Sequence, residues 1–304
     1  MDGQPRTRSA LLALVAAARF GVGAAMILAP SRFFSQGSGT ETLLMQTIGI
    51  RDVVLGSGGL AAWARGDDQE FQRWAAVGLT SASADLGVVE MADLVVLAVP
   101  ILAMRDVLVN LSGIAHGRVV TDVASTKTAV MEWASAAGID LVGGHPMCGR
   151  EAAGIDAADA ALFKGAPWVL TRADDAVTRL VESVGAHPIV MDAETHDRLV
   201  AGVSHAAFLL SVGYVLALSG QRDWADASGL AASGFRDMSR LAAGDPALYA
   251  GISRTNRAHM VEQLNAISAA LDRLKRHLEA DDPRLIELFE EARAVRERWS
   301  KESR

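Results

Sequence analysis

The chain has 304 residues and a mass of 32.0 kDa, enough for two domains and a sizeable core, and half its residues are hydrophobic while 5% are aromatic. A formal net charge of −7 argues against a nonspecific nucleic-acid binder. One cysteine, Cys148, excludes an intrachain disulfide and fits a reducing cytoplasm.

Residues 1–87 form a compositional block of their own. Seven arginines there balance seven acidic residues, so the entire net charge falls on the remainder. Leu11 to Ala29 and Leu43 to Trp63 are apolar runs interrupted by Arg19 and by Arg51-Asp52, and Phe71 to Leu86 is a shorter third. A mid-helix charge is costly in lipid, so a small bundle of Ala/Gly-rich helices is favoured, with membrane contact as the alternative. Arg6 and Arg8 precede the first run as in a leader, yet Arg19 cuts its apolar region short. Gly21-Val22-Gly23 and Gly56-Ser57-Gly58-Gly59 follow no β-branched strand, and Met26 stands where a dinucleotide turn needs its third glycine. Both read as helix-packing glycines, which leaves the first nucleotide-binding half absent or replaced.

From residue 88 the pattern changes. Ala92 to Pro100 reads as a buried parallel strand ended by proline, and a helix follows over 102–111. Val119-Val120 opens a strand that runs into Asp122, Ser125 and Lys127. After a helix, a second strand from Ile139 to Val142 closes on Gly143-Gly144-His145-Pro146-Met147. Strand, helix, strand, with polar residues where each strand ends, puts reactive groups at the carboxyl edge of a parallel sheet. A further strand (166–171), a helix (174–184) and a last strand (Pro188 to Met191) complete the second half of a doubly wound sheet. His145, set between glycines and a proline, is placed as a general base, since imidazole titrates near neutral pH. Lysine occurs only four times, so Lys127, lying between two motifs, is a poor candidate for surface filler. Cys148 beside His145 reads as small apolar filler rather than a reactive thiol.

Beyond Ala193 the chain turns helical. Leu199, Val203, Ala206 and Leu210 keep helical spacing, and Leu264, Ile267, Leu271, Leu274 and Leu278 form an apolar stripe whose ordinary meaning is a core face. Asp281-Asp282-Pro283 breaks that helix before a short, charged terminal one that reads as a solvated face. His196-Asp197 and His205 match no zinc spacing, so no metal is expected and helix-start and pocket roles suffice. The fold class is therefore α/β plus all-α: a helical block (1–87), a partial Rossmann-type parallel sheet (88–192) and a helical domain (193–304).

The motifs D-V-A-S-T-K, G-G-H-P-M-C-G-R-E, L-F-K-G at 162–165, S-H at 204–205 and A-S-G-F-R-D-M-S-R-L-A-A-G-D-P at 232–246 together resemble the prephenate/arogenate dehydrogenase family, from about Val88 to the C-terminus. The resemblance implies NAD(P)-dependent oxidative decarboxylation of a cyclohexadienol in tyrosine biosynthesis, in a cytoplasmic homodimer joined by its helical domain. By matching position His145 is the base, with Ser125 sharing the substrate hydroxyl. Arg240 would hold the ring carboxylate, since guanidinium suits bidentate pairing. Arg236 braces the site, His205 faces the pocket and Glu151 lies at its mouth. Val99, Pro100, Asp122, Ser125 and Lys127 would flank the nicotinamide of NAD or NADP. Many members carry a second histidine at the position of Phe208, so the choice between prephenate and arogenate stays open. A non-catalytic remnant that binds substrate or tyrosine, and a membrane-associated helical module fused to a degenerate dehydrogenase, are the alternatives.

Overall fold

A computed structural model describes residues 92–149 and 159–302, together with Val89. The helical block of 1–87, its two glycine stretches and Glu151 lie outside the described residues.

Three strands, β1 (Leu94–Leu97), β2 (Val119–Asp122) and β3 (Leu141–Val142), form a parallel sheet in that order. Leu94 pairs with Val119 and Leu97 with Asp122, so β1 and β2 end together. Parallel strands need a crossover, and helix α1 (Ile101–Leu111) supplies the first. Pro100 stands just before its first turn, where a missing N–H costs nothing. Ile101, Met104, Leu108 and Leu111 fall on one face at helical spacing and are buried with Val120 and Leu141 of the sheet. Helix α2 (Thr128–Ala136) adds Val130 and Ala134 to the same core.

The second group of strands departs from one continuous parallel sheet. Here β4 (Gly144–Pro146) runs antiparallel to β5 (Pro167–Leu170), and β5 is parallel to β6 (His187–Val190) across helix α3 (Asp175–Ser183). Side chains of β2 impose the break. The Thr121 hydroxyl donates to Val142 O (2.7 Å), and Gly144 N donates to the Asp122 carboxylate (2.9 Å) where a ladder bond would otherwise form. This approach requires glycine, because a Cβ on Gly144 would lie 2.4 Å from the backbone oxygen of Asp122. Gly144→Ala is therefore expected to lower stability by about 1–3 kcal/mol, as overpacking against backbone does. A thermal melt matching the parent's would refute that close approach.

The helical domain begins where the Asp192 carboxylate caps α4 (Ala193–Val200), accepting from Thr195 N at 2.9 Å. A single π-helical turn, Ala201–His205, joins α4 to α5 (Ala206–Ser219). Two short helices follow, α6 (Trp224–Gly229) and α7 (Ser233–Ser239), then a 3-10 turn, Arg240–Ala243. In α8 (Pro246–Thr255) Asp245 caps and Pro246 takes the first turn. The long α9 (Arg257–Glu279) and α10 (Leu285–Glu302) complete the chain. Ala201, Ile252 and Met260 make a small core among α8, α9 and the π-helical turn. The two domains touch where Gly251 of α8 meets Ile101 of α1, and where the Thr126 hydroxyl donates to Thr255 Oγ1 at 2.8 Å.

The C-terminal helices bear on two expectations. In the leucine stripe of α9, Leu264, Ile267 and Leu274 are half-buried, while Leu271 and Leu278 are 56% and 65% exposed. The terminal helix is solvated as expected, with no buried residue, but it is not short. It spans 18 residues and leaves Phe289 and Trp299 uncovered alongside its charges.

Candidate active site

The site forms where the carboxyl ends of β1 and β2, the strand β4 and the start of α4–α5 converge. Asp122 ends β2 fully buried, and its carboxylate accepts from Ala124 N, from Gly144 N (each 2.9 Å) and from Lys127 Nζ. Lys127 is equally buried and also donates to Gly144 O at 2.6 Å. Lysine is seldom fully buried unless paired. Here burial lowers the ammonium pKa, and the neighbouring Asp122 carboxylate opposes that shift. This corrects the reading of Asp122 and Lys127 as cofactor contacts: both turn inward and fasten β2 to β4. Strand-end position alone could not show which way these side chains point.

That brace fixes the backbone of β4 and so sets His145. Its ring is 8% exposed, and its Nδ1 lies 2.8 Å from Nε2 of His196, edge to face at a centroid separation of 5.0 Å. His196 Nδ1 in turn lies 2.8 Å from Asp197 Oδ1. Asp197 reaches across the domain boundary to accept from Lys127 N (2.7 Å) and Thr128 N (2.8 Å), capping α2 from another helix. Burial alone would raise the Asp197 pKa, but the hydrogen bonds from His196, Lys127 N and Thr128 N outweigh it and hold the group below its ordinary value. Burial, and after it the charge of Lys127, hold His145 well below the ordinary imidazole range. The ring is therefore neutral near neutral pH, with a lone pair available to accept a proton.

His205 sits at the end of the π-helical turn, a feature common at functional sites. Its Nδ1 is 3.2 Å from Asn256 Nδ2, which also donates to Asp197 O at 2.7 Å, while its buried Nε2 has no partner among the described residues. Burial brings its pKa down to about 4, with Asp197 opposing. Ser125 lies half-buried on the loop between β2 and α2, and Val123 N donates to Leu97 O at 3.3 Å, holding that loop beside Ala98–Pro100. At this edge Val99 is half-buried and Pro100 exposed. An uncovered apolar rim beside a hydroxyl, at the carboxyl edge of a parallel sheet, fits the nicotinamide end of a dinucleotide. Arg236 and Arg240 are not drawn into the histidine cluster. Both stand exposed, on α7 and on the 3-10 turn that packs against α5. Phe208 stacks flat on Tyr249, with ring centroids 3.4 Å apart, and presents no polar atom. Cys148 is half-buried, and burial pushes its thiol up, away from the reactive thiolate. Among the described residues no group of three His, Cys, Asp or Glu is placed to hold a metal ion.

His196 and Asp197, expected to hold a helix start or line the pocket, join His145 instead. The available signal was an adjacent His-Asp pair in the first turn after the last strand.

A partial Rossmann-type sheet with a buried histidine at its carboxyl edge, followed by a helical domain, is the architecture of a two-domain nucleotide-dependent enzyme. The prephenate dehydrogenase nucleotide-binding domain matches residues 64–190, beginning ahead of the motif-bearing region, and the prephenate dehydrogenase dimerization domain matches residues 192–291. The chain belongs to the prephenate dehydrogenase family. It is 32% identical to the arogenate dehydrogenase of Synechocystis, whose crystal structure superposes with a TM-score of 0.64 over 75% of this chain and 87% of that one. Prephenate dehydrogenase of Lactococcus lactis is 31% identical over 217 residues, 68% of this chain, and this chain spans 60% of that relative's length. The Aquifex aeolicus prephenate dehydrogenase, solved with hydroxyphenyl propionate and NAD+, shares the fold (TM-score 0.67, 23% identity, covering 81% of this chain and 94% of that one).

Proposed function

We propose that this chain is a prephenate or arogenate dehydrogenase that uses NAD or NADP and works as a cytoplasmic homodimer. The observation that carries the reading is His145: buried, with its pKa held below the ordinary imidazole range, and fixed on β4 against Asp122, which ends β2 at the carboxyl edge of the sheet. When bound, the nicotinamide supplies the acceptor for the hydride leaving C4 of the ring. Val99, Pro100 and Ser125 are the residues that would hold that end. His145 takes the C4 hydroxyl proton, so the O–H electron pair becomes the carbonyl π bond as the C4–H bond breaks. Loss of CO2 then returns an electron pair through the ring to that oxygen, which recovers the proton from His145. In this reading Ser125 shares the hydroxyl, Glu151 is assigned to the pocket mouth by its place in the motif, and Arg236 braces the motif that carries Arg240.

Arg240, on the 3-10 turn beside α5, is assigned to the ring carboxylate by its place in the F-R-D-M-S-R motif. Arg240→Ala should weaken substrate binding by about tenfold to a hundredfold, the worth of one charge-assisted pair. Calorimetry showing equal affinity for Arg240→Ala and the remote Arg298→Ala would remove Arg240 from the site. Phe208 offers neither charge nor hydrogen bond, so the choice between a pyruvyl and an amino-acid side chain rests on other residues.

Among the described residues one helical stretch, Ala193–Ser219, is long and apolar enough to cross a membrane. It carries His196, Asp197 and His205, and its exposed Val203 and Leu216, with Leu271 and Leu278 of α9, suit a second copy of the chain better than lipid. Light scattering should report twice the chain's 32.0 kDa; a monomer at micromolar concentration would sink the dimer. The reading as a whole is tested by incubating the full chain with prephenate or arogenate and either cofactor. Reduced nicotinamide is the expected product. Substrate binding without any reduction would favour the non-catalytic alternative.

A further inference from the structure

The reaction as described leaves one buried titratable pair without a part, His196 and Asp197. They are 0% and 1% exposed and belong to α4, in the helical domain, yet their partners lie in the nucleotide-binding domain. With His196 taken as a neutral imidazole, the contacts place every proton along the chain. Asp197 receives two backbone N–H groups at the start of α2, where the positive end of the helix also favours an anion. An ionised carboxylate only accepts, so His196 Nδ1, 2.8 Å away, carries a proton and donates it. A neutral imidazole holds one proton, which leaves His196 Nε2 as an acceptor. His145 Nδ1, 2.8 Å from that atom, must then be the donor. The remaining nitrogen of His145, Nε2, is left with a lone pair.

We propose that Asp197 and His196 are positioning residues that set His145 in its Nδ1–H tautomer, so that Nε2 meets the substrate hydroxyl as a proton acceptor. The proposal rests on the reading of His145 as the base and deepens it. When Nε2 gains the hydroxyl proton, the charge on His145 is stabilised through His196 by the Asp197 carboxylate, which stays ionised. The same carboxylate caps α2 across the domain boundary. One of the contacts that dock the helical domain onto the nucleotide-binding domain thus also sets the base. The charged and titratable groups around this chain are Lys127 and Asp122 below it and His205 behind it.

The test reads the tautomer directly, in the full chain labelled with 15N-histidine and without substrate or cofactor. Imidazole correlation spectra are assigned to His145 by their loss in His145→Asn. Nδ1 of His145 is expected to be protonated and Nε2 bare. His196→Leu should release the ring to the mixture dominated by the Nε2–H form of free histidine. His196→Gln should preserve the parent pattern, because its amide can accept from His145 and donate to Asp197. Both variants are checked by thermal melting, and only folded protein is scored. In turnover, His196→Leu should lower kcat by about tenfold to a thousandfold with KM little changed, and His196→Gln should recover most of it. A proton on Nε2 of His145 in the parent chain, or an unchanged tautomer in His196→Leu, would overturn the proposal. The expected spectra with no turnover of any substrate would keep the tautomer assignment and overturn the dehydrogenase reading instead.

Discussion

Replacing His145 by Asn is expected to cut turnover by about a hundredfold to ten-thousandfold, the range that a positioned general base contributes. Asn keeps a hydrogen-bonding group near the Nδ1 position but offers no titratable nitrogen to the hydroxyl, so substrate affinity should change little. The pH profile gives the same assignment by another route. Burial and the charge of Lys127 depress the His145 pKa, so its neutral form persists as pH falls below the usual imidazole range. Activity limited by this base is full above the depressed value and is lost only as pH falls through it. The acid limb of kcat/KM should therefore lie below the pKa of about 6.5 of free histidine, and should vanish with the activity in His145→Asn. A limb at or above that value would point to a different base.

The second large effect is structural. Lys127→Met leaves the Asp122 carboxylate buried with its two backbone donors but without its countercharge. Removing one partner of a buried ion pair costs about 3–5 kcal/mol, a large part of the 5–15 kcal/mol that holds a typical domain together. Adding Asp122→Asn to Lys127→Met should recover part of that loss, because the amide oxygen still accepts a backbone N–H and no charge remains buried. Urea melts of the parent, single and double variants measure it. A double variant no more stable than Lys127→Met would show that the charge of Asp122 is not what the lysine stabilises. His145 stands next to Gly144 of this brace, so the single variant should lose activity even where it folds.

Much of this site was legible along the chain because strand ends are punctuated locally. Val119-Val120 running into polar residues marks the carboxyl end of β2, and Gly143-Gly144-His145-Pro146 is legible as a histidine held by stiff and small neighbours. What was not legible depends on direction and distance. Asp122 and Lys127 were expected to face a cofactor, and a strand-end position is compatible with either face. Their burial follows from β4 folding back over β2, which no local period encodes. His196 meets His145 across 51 residues and Asp197 meets Lys127 across 70, so an ordinary helix-start His-Asp pair became half of the site. The leucine stripe of α9 was visible by spacing, but spacing does not distinguish a core face from one left for a second copy.

The most direct measurement of the central claim is the stoichiometry of CO2 and reduced nicotinamide, with prephenate or arogenate as substrate and NAD or NADP as oxidant. Hydride loss from C4 and loss of the ring carboxylate belong to one oxidation, so the parent chain should release one CO2 for each nicotinamide reduced, with no net proton. His145→Asn should produce neither above background. Reduction without CO2, CO2 without reduction, or equal yields from His145→Asn and the parent would contradict an oxidative decarboxylation run by His145.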